Sequence, residues 1–373
     1  MRIGFDAKRA FNNAAGLGNF SRNSITALAS TFLGNDYFLF HPVTKRPRFI
    51  APQNSTEIKP ESFWWKNLNN TWRTFQITKL AGEQNLDIYH GLSHELPVGI
   101  EKTKVKSVVT IHDLIYIRYS KFFRRIDRNI YDLKFRHACK IATRIHAISE
   151  QTKQDLINFF GITPEKIEVI YQSVNPIFYN SYDEATKQQL RDKYKLPEQF
   201  IVTVGTIEAR KNLIALLEGM VAAEIKTPLV VVGKPTDYLR KAKKFILENQ
   251  DVLQVKFFTD MKDTELAVLY QMANALVYPS LFEGFGLPVA EAQASGCPVI
   301  TSNTSSLPEA GGDAVLYINP KKPKEIGQAI STLLSDQNLQ NSLIAKGKEH
   351  AQLFTRDKYA QQMMKLYKNL QND

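Results

Sequence analysis

The sequence predicts an α/β protein built from two doubly wound, Rossmann-like domains. Three observations lead to this expectation. The chain has 373 residues, more than one typical domain holds. Short apolar segments rich in β-branched residues alternate with segments of helical periodicity, the pattern of parallel sheets covered by helices on both faces. This alternation occurs twice, on either side of a turn-rich segment at residues 173–182.

The first series opens with a strand at residues 2–7, a glycine pair at Gly16 and Gly18, and a helix at residues 20–29. Residues 42–70 contain four prolines, so we expect a long loop there, with helix resuming near Trp72. The other predicted strands of this series are 37–41, 87–90, 106–111, 144–148 and 167–171.

The second series follows the turn-rich segment. Its predicted strands are 200–205, 229–233, 255–258, 275–278, 298–301 and 315–318. We therefore expect domains at residues 1–172 and 173–354, with an amphipathic helix at 355–373 that packs back on the first domain. Because parallel sheets bind ligands at the carboxyl ends of their strands, the two domains are expected to face a central cleft.

Charge and cysteine content limit the classes of function. Net charge is +11, and it is concentrated in residues 1–172, which hold 25 Lys and Arg against 15 Asp and Glu. Such a basic half suits nucleic acid, an anionic membrane or a phosphorylated substrate. The two cysteines fit neither a metal motif nor a disulfide framework. The first residues, Met-Arg-Ile-Gly-Phe-Asp, contain no apolar h-region, so we expect no signal peptide. We expect a cytoplasmic protein, either free or peripheral on the inner membrane face.

Residues 277–300, Val-Tyr-Pro-Ser-Leu-Phe-Glu-Gly-Phe-Gly-Leu-Pro-Val-Ala-Glu-Ala-Gln-Ala-Ser-Gly-Cys-Pro-Val-Ile, carry most of the functional information. Glu283 follows a strand and precedes Gly284 and Gly286, and Pro288 is placed to begin a helix. Glycines before a helix N-terminus let an anion approach free amides, so this segment predicts a diphosphate seat.

Two glutamates frame that seat. Glu283 precedes the helix, and Glu291 lies one turn into it. A carboxylate in such a position holds sugar or ribose hydroxyls in dinucleotide folds. The whole segment resembles the signature of glycosyltransferase family 4, a family of retaining enzymes with the GT-B fold, in which two Rossmann-like domains face a cleft. The resemblance implies that Glu283 orients the transferred sugar and that Glu291 binds the ribose.

The resemblance extends to residues 204–212, Val-Gly-Thr-Ile-Glu-Ala-Arg-Lys-Asn. It implies that Arg210 and Lys211, next to Gly205, bind the donor diphosphate and stabilise the leaving group. A guanidinium and an ammonium at the carboxyl end of a strand suit phosphate oxygens. The other donor-binding positions implied by the resemblance are Gly16, Gly18, Gly205, Gly284, Phe285, Gly286 and Leu287.

The N-terminal half resembles the acceptor-side domain of the family. The run Thr-Ile-His-Asp-Leu at residues 110–114 is similar to a segment that brings a histidine, here His112, beside the donor sugar. His94, Glu95 and Ser149 are the acceptor-side candidates. Thr259 replaces a glycine common in the family, and residues 42–72 match nothing specific, which leaves the acceptor open.

The resemblance implies a retaining transfer of a hexose from a nucleotide sugar to a glycan or lipid-linked saccharide, in the synthesis of cell-surface polysaccharide. GDP-mannose is the first expectation for the donor, because residues 110–114 are similar to segments of mannosyltransferases. The chain has no Asp-x-Asp, so we expect neither metal nor cofactor, with protein cations in the place of a divalent ion. We favour front-face attack over a double displacement.

A basic stretch at residues 118–144 remains, with nine Lys and Arg interleaved with apolar side chains. It predicts a basic amphipathic helix or helix pair, either resting on anionic lipid or solvated over the core. Three alternatives to the transferase stay open: a GT-B-fold sugar-nucleotide epimerase, a non-catalytic binding protein, and a nucleic-acid-binding protein that uses the basic half. No nucleic-acid-binding module is recognisable, so nucleic acid is not expected as a partner.

Overall fold

The computed structural model describes residues 1–14, 16–62, 65 and 68–372. These residues form two compact units, one of residues 1–173 with 356–373 and one of residues 174–355. Each unit contains a fully parallel sheet with interspersed helices. The predicted fold class of two Rossmann-like domains is therefore confirmed.

The sheet of the first unit has seven strands in the order β3-β2-β1-β4-β5-β6-β7. The central strands β4 and β5 are almost completely buried, because helices cover both faces of a parallel sheet. The strands are β1 (Arg2–Asp6), β2 (Asp36–Phe40), β3 (Ser55–Ile58), β4 (Ile88–Gly91), β5 (Lys106–Ile111), β6 (Arg144–Ala147) and β7 (Ile167–Val169).

The helices of the first unit include a C-terminal helix that returns to it. This last helix, α15, packs an apolar face against α2, where the Tyr359 hydroxyl donates a hydrogen bond to Ser24 Oγ at 2.8 Å. The Tyr367 hydroxyl also lies 2.6 Å from His90 Nδ1 in β4. The helices are α1 (Lys8–Asn12), α2 (Gly16–Thr31), α3 (Asn69–Glu83), α4 (Ile115–Arg118), α5 (Arg125–Ile141), α6 (Glu150–Phe160) and α15 (Arg356–Asn372).

Two predictions for this unit are wrong in detail. The expected loop over residues 42–70 contains β3, which pairs with β2. The helix expected near Trp72 is present as α3, which begins at Asn69. The sequence of β3, Ser-Thr-Glu-Ile, gives little apolar signal because this strand lies at the sheet edge. Gly16 and Gly18 form the first turn of α2 instead of a loop; a Cβ on Gly18 would lie 2.0 Å from the Asn13 carbonyl oxygen.

The sheet of the second unit has six strands in the order β10-β9-β8-β11-β12-β13. Its core is rich in Leu, Ile and Val from both sides of the sheet. The strands are β8 (Ile201–Val204), β9 (Leu229–Val232), β10 (Val255–Phe258), β11 (Ala275–Tyr278), β12 (Val299–Ser302) and β13 (Leu316–Ile318).

The helices of the second unit are mostly two to four turns long. Within the described part of the chain, no helix has both the length and the apolar character needed to cross a membrane. The helices are α7 (Glu184–Tyr194), α8 (Leu213–Ala222), α9 (Tyr238–Glu248), α10 (Asp263–Met272), α11 (Leu287–Ala294), α12 (Leu307–Gly311), α13 (Pro323–Ser335) and α14 (Gln337–Ala351).

Helices α8 and α13 pack closely through a pair of glycines. A Cβ on Gly327 would lie 2.2 Å from the carbonyl oxygen of Gly219, a backbone atom that has no room to move. We therefore expect Gly327→Ala to lower the free energy of unfolding by about 1–3 kcal/mol. Urea denaturation followed by circular dichroism measures this loss.

Gly82→Ala in α3 is the matched control, since Gly82 is also helical but a Cβ there meets nothing within 4 Å. It is expected to be neutral or to stabilise the protein by less than about 1 kcal/mol. Equal effects of the two substitutions would contradict the close packing of α8 on α13.

Candidate active site

The carboxyl ends of β8 and β11 bring three predicted residues into one buried ion cluster. Glu283 accepts from both cations: its Oε1 lies 2.7 Å from Lys211 Nζ and its Oε2 lies 2.7 Å from Arg210 Nη1. Arg210 also contacts Glu208, at 2.6 Å. Lys211 Nζ donates to the Tyr278 hydroxyl and lies over the face of its ring. The cluster is therefore fixed from several sides in the free protein.

Backbone contacts hold the two loops of this cluster together. Arg210 Nη1 donates to the Phe282 carbonyl at 2.7 Å, and the Leu281 amide donates to the Arg210 carbonyl at 2.9 Å. Asn212, in the left-handed region with φ of 63°, donates to the Pro279 carbonyl at 3.1 Å. The cationic loop after β8 and the glutamate loop after β11 thus form one rigid unit.

Two serines position the loop that carries Glu283, and sequence reasoning missed both. Ser305 Oγ accepts from the Glu283 amide at 2.9 Å and donates to the Glu283 carbonyl at 2.7 Å. Ser306 Oγ donates to the carbonyls of Glu283, at 2.9 Å, and Phe285, at 2.8 Å. The only signal for them was a Thr-Ser-Ser run before α12, which is also typical of an ordinary turn.

Glycines leave the space that the cluster needs. Gly205, with φ of 129°, has the Lys211 side chain where a Cβ would be, 3.2 Å away at the nearest atom. Gly286, with φ of 115°, is the N-cap of α11, and Pro288 occupies its first turn as predicted. The first amides of a helix lack intrahelical partners, so the N-terminus of α11 at Leu287 is suited to an anion.

Electrostatics keeps Glu283 ionised. Burial would raise its pKa, but the charges and hydrogen bonds of Lys211 and Arg210 outweigh burial and lower the pKa to about 2. Burial lowers the pKa of Lys211, and the Glu283 carboxylate restores it only in part. A second anion would therefore stabilise the charged form of Lys211 further.

Glu291 differs from Glu283 because it has no cation to pair with in the described part of the chain. It lies on the second turn of α11, partly buried, and burial followed by the charge of Asp263 raises its pKa to about 8. The two glutamates of the motif thus carry different charge at neutral pH, one ionised and the other largely protonated.

In the first unit, His112 follows β5 and is buried. Its Nε2 lies 3.0 Å from the Leu92 carbonyl, and burial lowers its pKa to about 4. A neutral ring next to a carbonyl must carry its proton on Nε2, which makes Nδ1 an acceptor suited to a hydroxyl. The ring packs edge-on against Phe20 of α2, with centroids 4.6 Å apart.

The acceptor-side candidates have different surroundings. His94, at φ of 62°, stacks on Phe135 with ring centroids 4.2 Å apart, and Glu95 pairs with Arg73 and Lys134. Ser149 is fully buried and caps α6 by accepting from the Thr152 amide at 3.0 Å. Thr152 Oγ1 in turn donates to the His112 carbonyl at 3.1 Å. Ser149 therefore supports the His112 segment through Thr152.

Comparison with known proteins matches both units. The model described as Glycosyltransferase Family 4 matches residues 15–177, and the model described as Glycosyl transferases group 1 matches residues 186–350. The chain belongs to glycosyltransferase family 4. Among curated family members, it is 31% identical over 268 residues to the serotype-specific mannosyltransferase WbdA of Escherichia coli, a match that covers 69% of this chain and 32% of WbdA.

The matched part of the chain thus spans about a third of the length of WbdA, whereas a second relative is matched over most of its length. The O-antigen chain mannosyltransferase B of Escherichia coli is 29% identical over 289 residues, covering 76% of this chain and 74% of that protein. Solved structures share the GT-B fold at low identity. Sucrose-phosphate synthase from Thermosynechococcus elongatus superposes with a TM-score of 0.78 and 22% identity, over 99% of both chains. Anabaena HepE, solved with UDP-glucose, gives 0.72 and 15% identity, over 99% of this chain and all of HepE.

The raised pKa of Glu291 predicts a pH dependence of stability. An unfolded glutamate loses its proton near its ordinary pKa, whereas the folded protein keeps it up to about pH 8. The unfolded state therefore binds fewer protons over this window, so this group makes stability fall as pH rises from about 4.5 to 8. Glu291→Gln is expected to melt higher than the wild type at pH 8.5, with a smaller difference at pH 5.

Melting curves of the two proteins at several pH values measure this effect. Exposed Glu101→Gln is the control and is expected to leave the pH profile unchanged. The raised pKa would be contradicted if Glu291→Gln and wild type differed equally at both pH values.

Proposed function

We propose that this chain is a retaining glycosyltransferase that moves a hexose, mannose in the first instance, from a nucleotide sugar to a glycan or lipid-linked saccharide. The observation that carries the proposal is the Arg210–Glu283–Lys211 cluster beside the N-terminus of α11. The names of the relatives, WbdA and mannosyltransferase B, favour mannose, and GDP-mannose is therefore the first donor to test. They also disfavour the epimerase alternative.

The chemistry requires stabilisation of a leaving diphosphate. As the bond between C1 of the sugar and the phosphate oxygen breaks, negative charge develops on that oxygen, and fixed cations stabilise it. Arg210, Lys211 and the amides near Leu287 have this role in the proposal. In front-face attack, the acceptor oxygen bonds to C1 on the side that the phosphate leaves, and the acceptor proton passes to the leaving oxygen.

We expect the donor diphosphate to replace Glu283 as the ion-pair partner of Arg210 and Lys211. In the free protein, both carboxylate oxygens are bound to the two cations. A donor diphosphate competes for the same cations, and Glu283 then becomes free to accept hydrogen bonds from sugar hydroxyls. Glu291 holds the ribose, and His112 holds a hydroxyl through Nδ1. The donor itself thereby completes the sugar-binding groups of the site.

Donor binding tests this proposal by calorimetry with GDP-mannose, UDP-glucose and ADP-glucose in EDTA. One nucleotide sugar is expected to bind without metal. Lys211→Ala is expected to weaken it by about tenfold to a hundredfold, because a charged hydrogen bond is lost. Exposed Lys241→Ala on α9 is the matched control and is expected to bind like the wild type.

Melting curves confirm that each variant is folded before titration. Two results would overturn the donor site: no nucleotide sugar binds even with Mg²⁺, or Lys211→Ala binds as tightly as Lys241→Ala. Binding only in the presence of Mg²⁺ would overturn the expected metal independence and leave the donor site in place.

We also propose that α5 rests on an anionic membrane surface. Helical spacing places Ile126, Ile130 and Leu133 on one face, opposite buried Phe135 and Cys139. Ile126 and Leu133 are each 73% exposed, and Ile130 is 47% exposed. An exposed apolar stripe on a basic helix is the pattern of an interfacial helix.

Cations border this apolar stripe. A surface depression of about 580 Å³ lies beside it, and its lining includes Arg128, Arg136 and Lys140. Asp132 also lines it and pairs with Arg136 at 2.8 Å, which leaves a net positive lining. His137 Nε2 is buried in the same region, and the described part of the chain offers it no hydrogen-bond partner. Lipid phosphates suit these side chains while the stripe inserts among the acyl chains. Peripheral attachment would hold the chain at a lipid-linked acceptor.

Vesicle flotation tests this contact. The wild type is expected to float with vesicles of phosphatidylglycerol and phosphatidylcholine, but not with phosphatidylcholine alone. The triple variant Ile126→Ser, Ile130→Ser and Leu133→Ser is expected to lose about tenfold or more in affinity, because the inserted apolar area is lost.

Leu247→Ser in the second unit is the control for general surface hydrophobicity, since Leu247 is 69% exposed. Equal flotation of the triple variant and Leu247→Ser would contradict the contact through α5, as would absence of wild-type flotation with anionic vesicles.

A further inference from the structure

Four charged side chains of the first unit are linked by consecutive ion pairs, in which acidic and basic groups alternate. Lys134 Nζ lies 3.1 Å from Glu95 Oε1, and Glu95 Oε2 lies 3.2 Å from Arg73 Nη2. Arg73 Nη2 also contacts Asp6 Oδ2. These four residues, Asp6, Arg73, Glu95 and Lys134, are called the charged network. It extends from the buried interior to the surface, where Lys134 is exposed.

The charged network lies at the carboxyl edge of the parallel sheet, where such sheets bind ligands. Asp6 ends β1 and Glu95 follows β4, and these two strands are neighbours, so both residues lie at the carboxyl edge of the sheet. Gly91 makes this placement possible, because a Cβ there would be 2.0 Å from the Glu95 carbonyl oxygen. The segment after β4 can therefore fold back over the strand end and place His94 and Glu95 at the edge.

A contribution to protein stability does not by itself explain why the charged network is present. Arg73 is only 9% exposed, and a buried ion pair adds little net stability compared with apolar packing. Two buried polar atoms here, Arg73 Nε and His94 Nδ1, have no hydrogen-bond partner among the residues that the structure describes. Each such atom costs free energy, so their presence at a ligand-binding edge indicates groups that await a ligand.

The charge pattern indicates which ligand fits. Glu95 offers acceptor oxygens, and Arg73 and Lys134 offer donors already paired with a carboxylate. A sugar hydroxyl both donates and accepts, and it carries no charge that Asp6 or Glu95 would repel. Lys8 and Arg9 bring further positive charge near this edge, which makes a phosphorylated sugar the competing ligand.

We propose that the charged network, together with His94, is the subsite for an uncharged acceptor sugar that presents free neighbouring hydroxyls. The network consists of Asp6, Arg73, Glu95 and Lys134. The inference rests on the proposed glycosyl transfer and extends it by naming the acceptor chemistry and its binding groups. Glu95 accepts from one hydroxyl, Lys134 donates to the next, and Arg73 holds the Glu95 carboxylate in place as a positioning residue.

Ligand-observed NMR tests the subsite directly, with methyl α-D-mannopyranoside as the neutral probe and its 6-phosphate as the charged one. The wild type is expected to bind the neutral probe more tightly. Glu95→Gln, which keeps shape and removes charge, is expected to raise its dissociation constant at least about tenfold. Exposed Glu101→Gln is the matched control and is expected to match the wild type.

Transfer kinetics then separate binding from a structural effect. For Glu95→Gln, the acceptor KM is expected to rise about tenfold, while the donor KM and the rate of donor hydrolysis stay within twofold of wild type. Arg73→Lys is expected to shift the acceptor KM in the same direction, and melting curves check that it is folded.

Three outcomes would overturn the subsite: no binding of the neutral probe, equal binding by Glu95→Gln and Glu101→Gln, or tighter binding of the phosphorylated probe. Failure of the proposed function gives a different result, namely loss of wild-type donor binding in calorimetry. Saccharide binding by NMR does not depend on that measurement, so the two failures are distinguishable.

Discussion

The pairing of one buried carboxylate with two cations at the carboxyl ends of β8 and β11 organises the second unit. Glu283 cannot stay ionised in such a buried place without Arg210 and Lys211, and it joins the loops that carry them. The backbone contacts of Arg210 to the strand-β11 loop, and those of Ser305 and Ser306 to Glu283, all serve the same geometry. The proposed donor seat is thereby preorganised in the free protein.

The ion pairs of the cluster are compatible with the proposed binding of an anion. Arg210 and Lys211 hold the pKa of Glu283 at about 2, while burial leaves the pKa of Lys211 below its ordinary value. An incoming diphosphate adds negative charge where the cations lack compensation, near a helix N-terminus that favours it. In the proposed exchange, the ion pairs of the free state mark the positions of the phosphate oxygens in the bound state.

Much of the fold could be predicted from sequence, and so could the residues that meet in the proposed donor site, because both depend on local patterns. Buried strands such as β9 are continuous apolar runs, and the segment from Glu283 to Pro288 combines glycine, helix start and carboxylate in one short motif. The roles of Ser305, Ser306 and Tyr278 could not be predicted, since they arise from contacts between segments far apart in sequence.

Prediction from sequence is less successful for the first unit, where more features depend on tertiary contacts. Strand β3 was missed because an exposed edge strand needs little apolar character, and the glycines of α2 were placed in a loop because helices seldom begin with them. Arg73 gave no signal, since an arginine in a helix is usually solvated. Only the fold shows that it is buried between Asp6 and Glu95.

The central claim is that a donor diphosphate replaces Glu283 as the partner of Arg210 and Lys211. A crystal structure of the protein with bound GDP, or with UDP if that nucleotide binds more tightly, tests it most directly. The account predicts phosphate oxygens within hydrogen-bond distance of both cations and at least one Glu283 oxygen released from them. A nucleotide bound elsewhere, or Glu283 still bound to both cations beside a bound nucleotide, would contradict it.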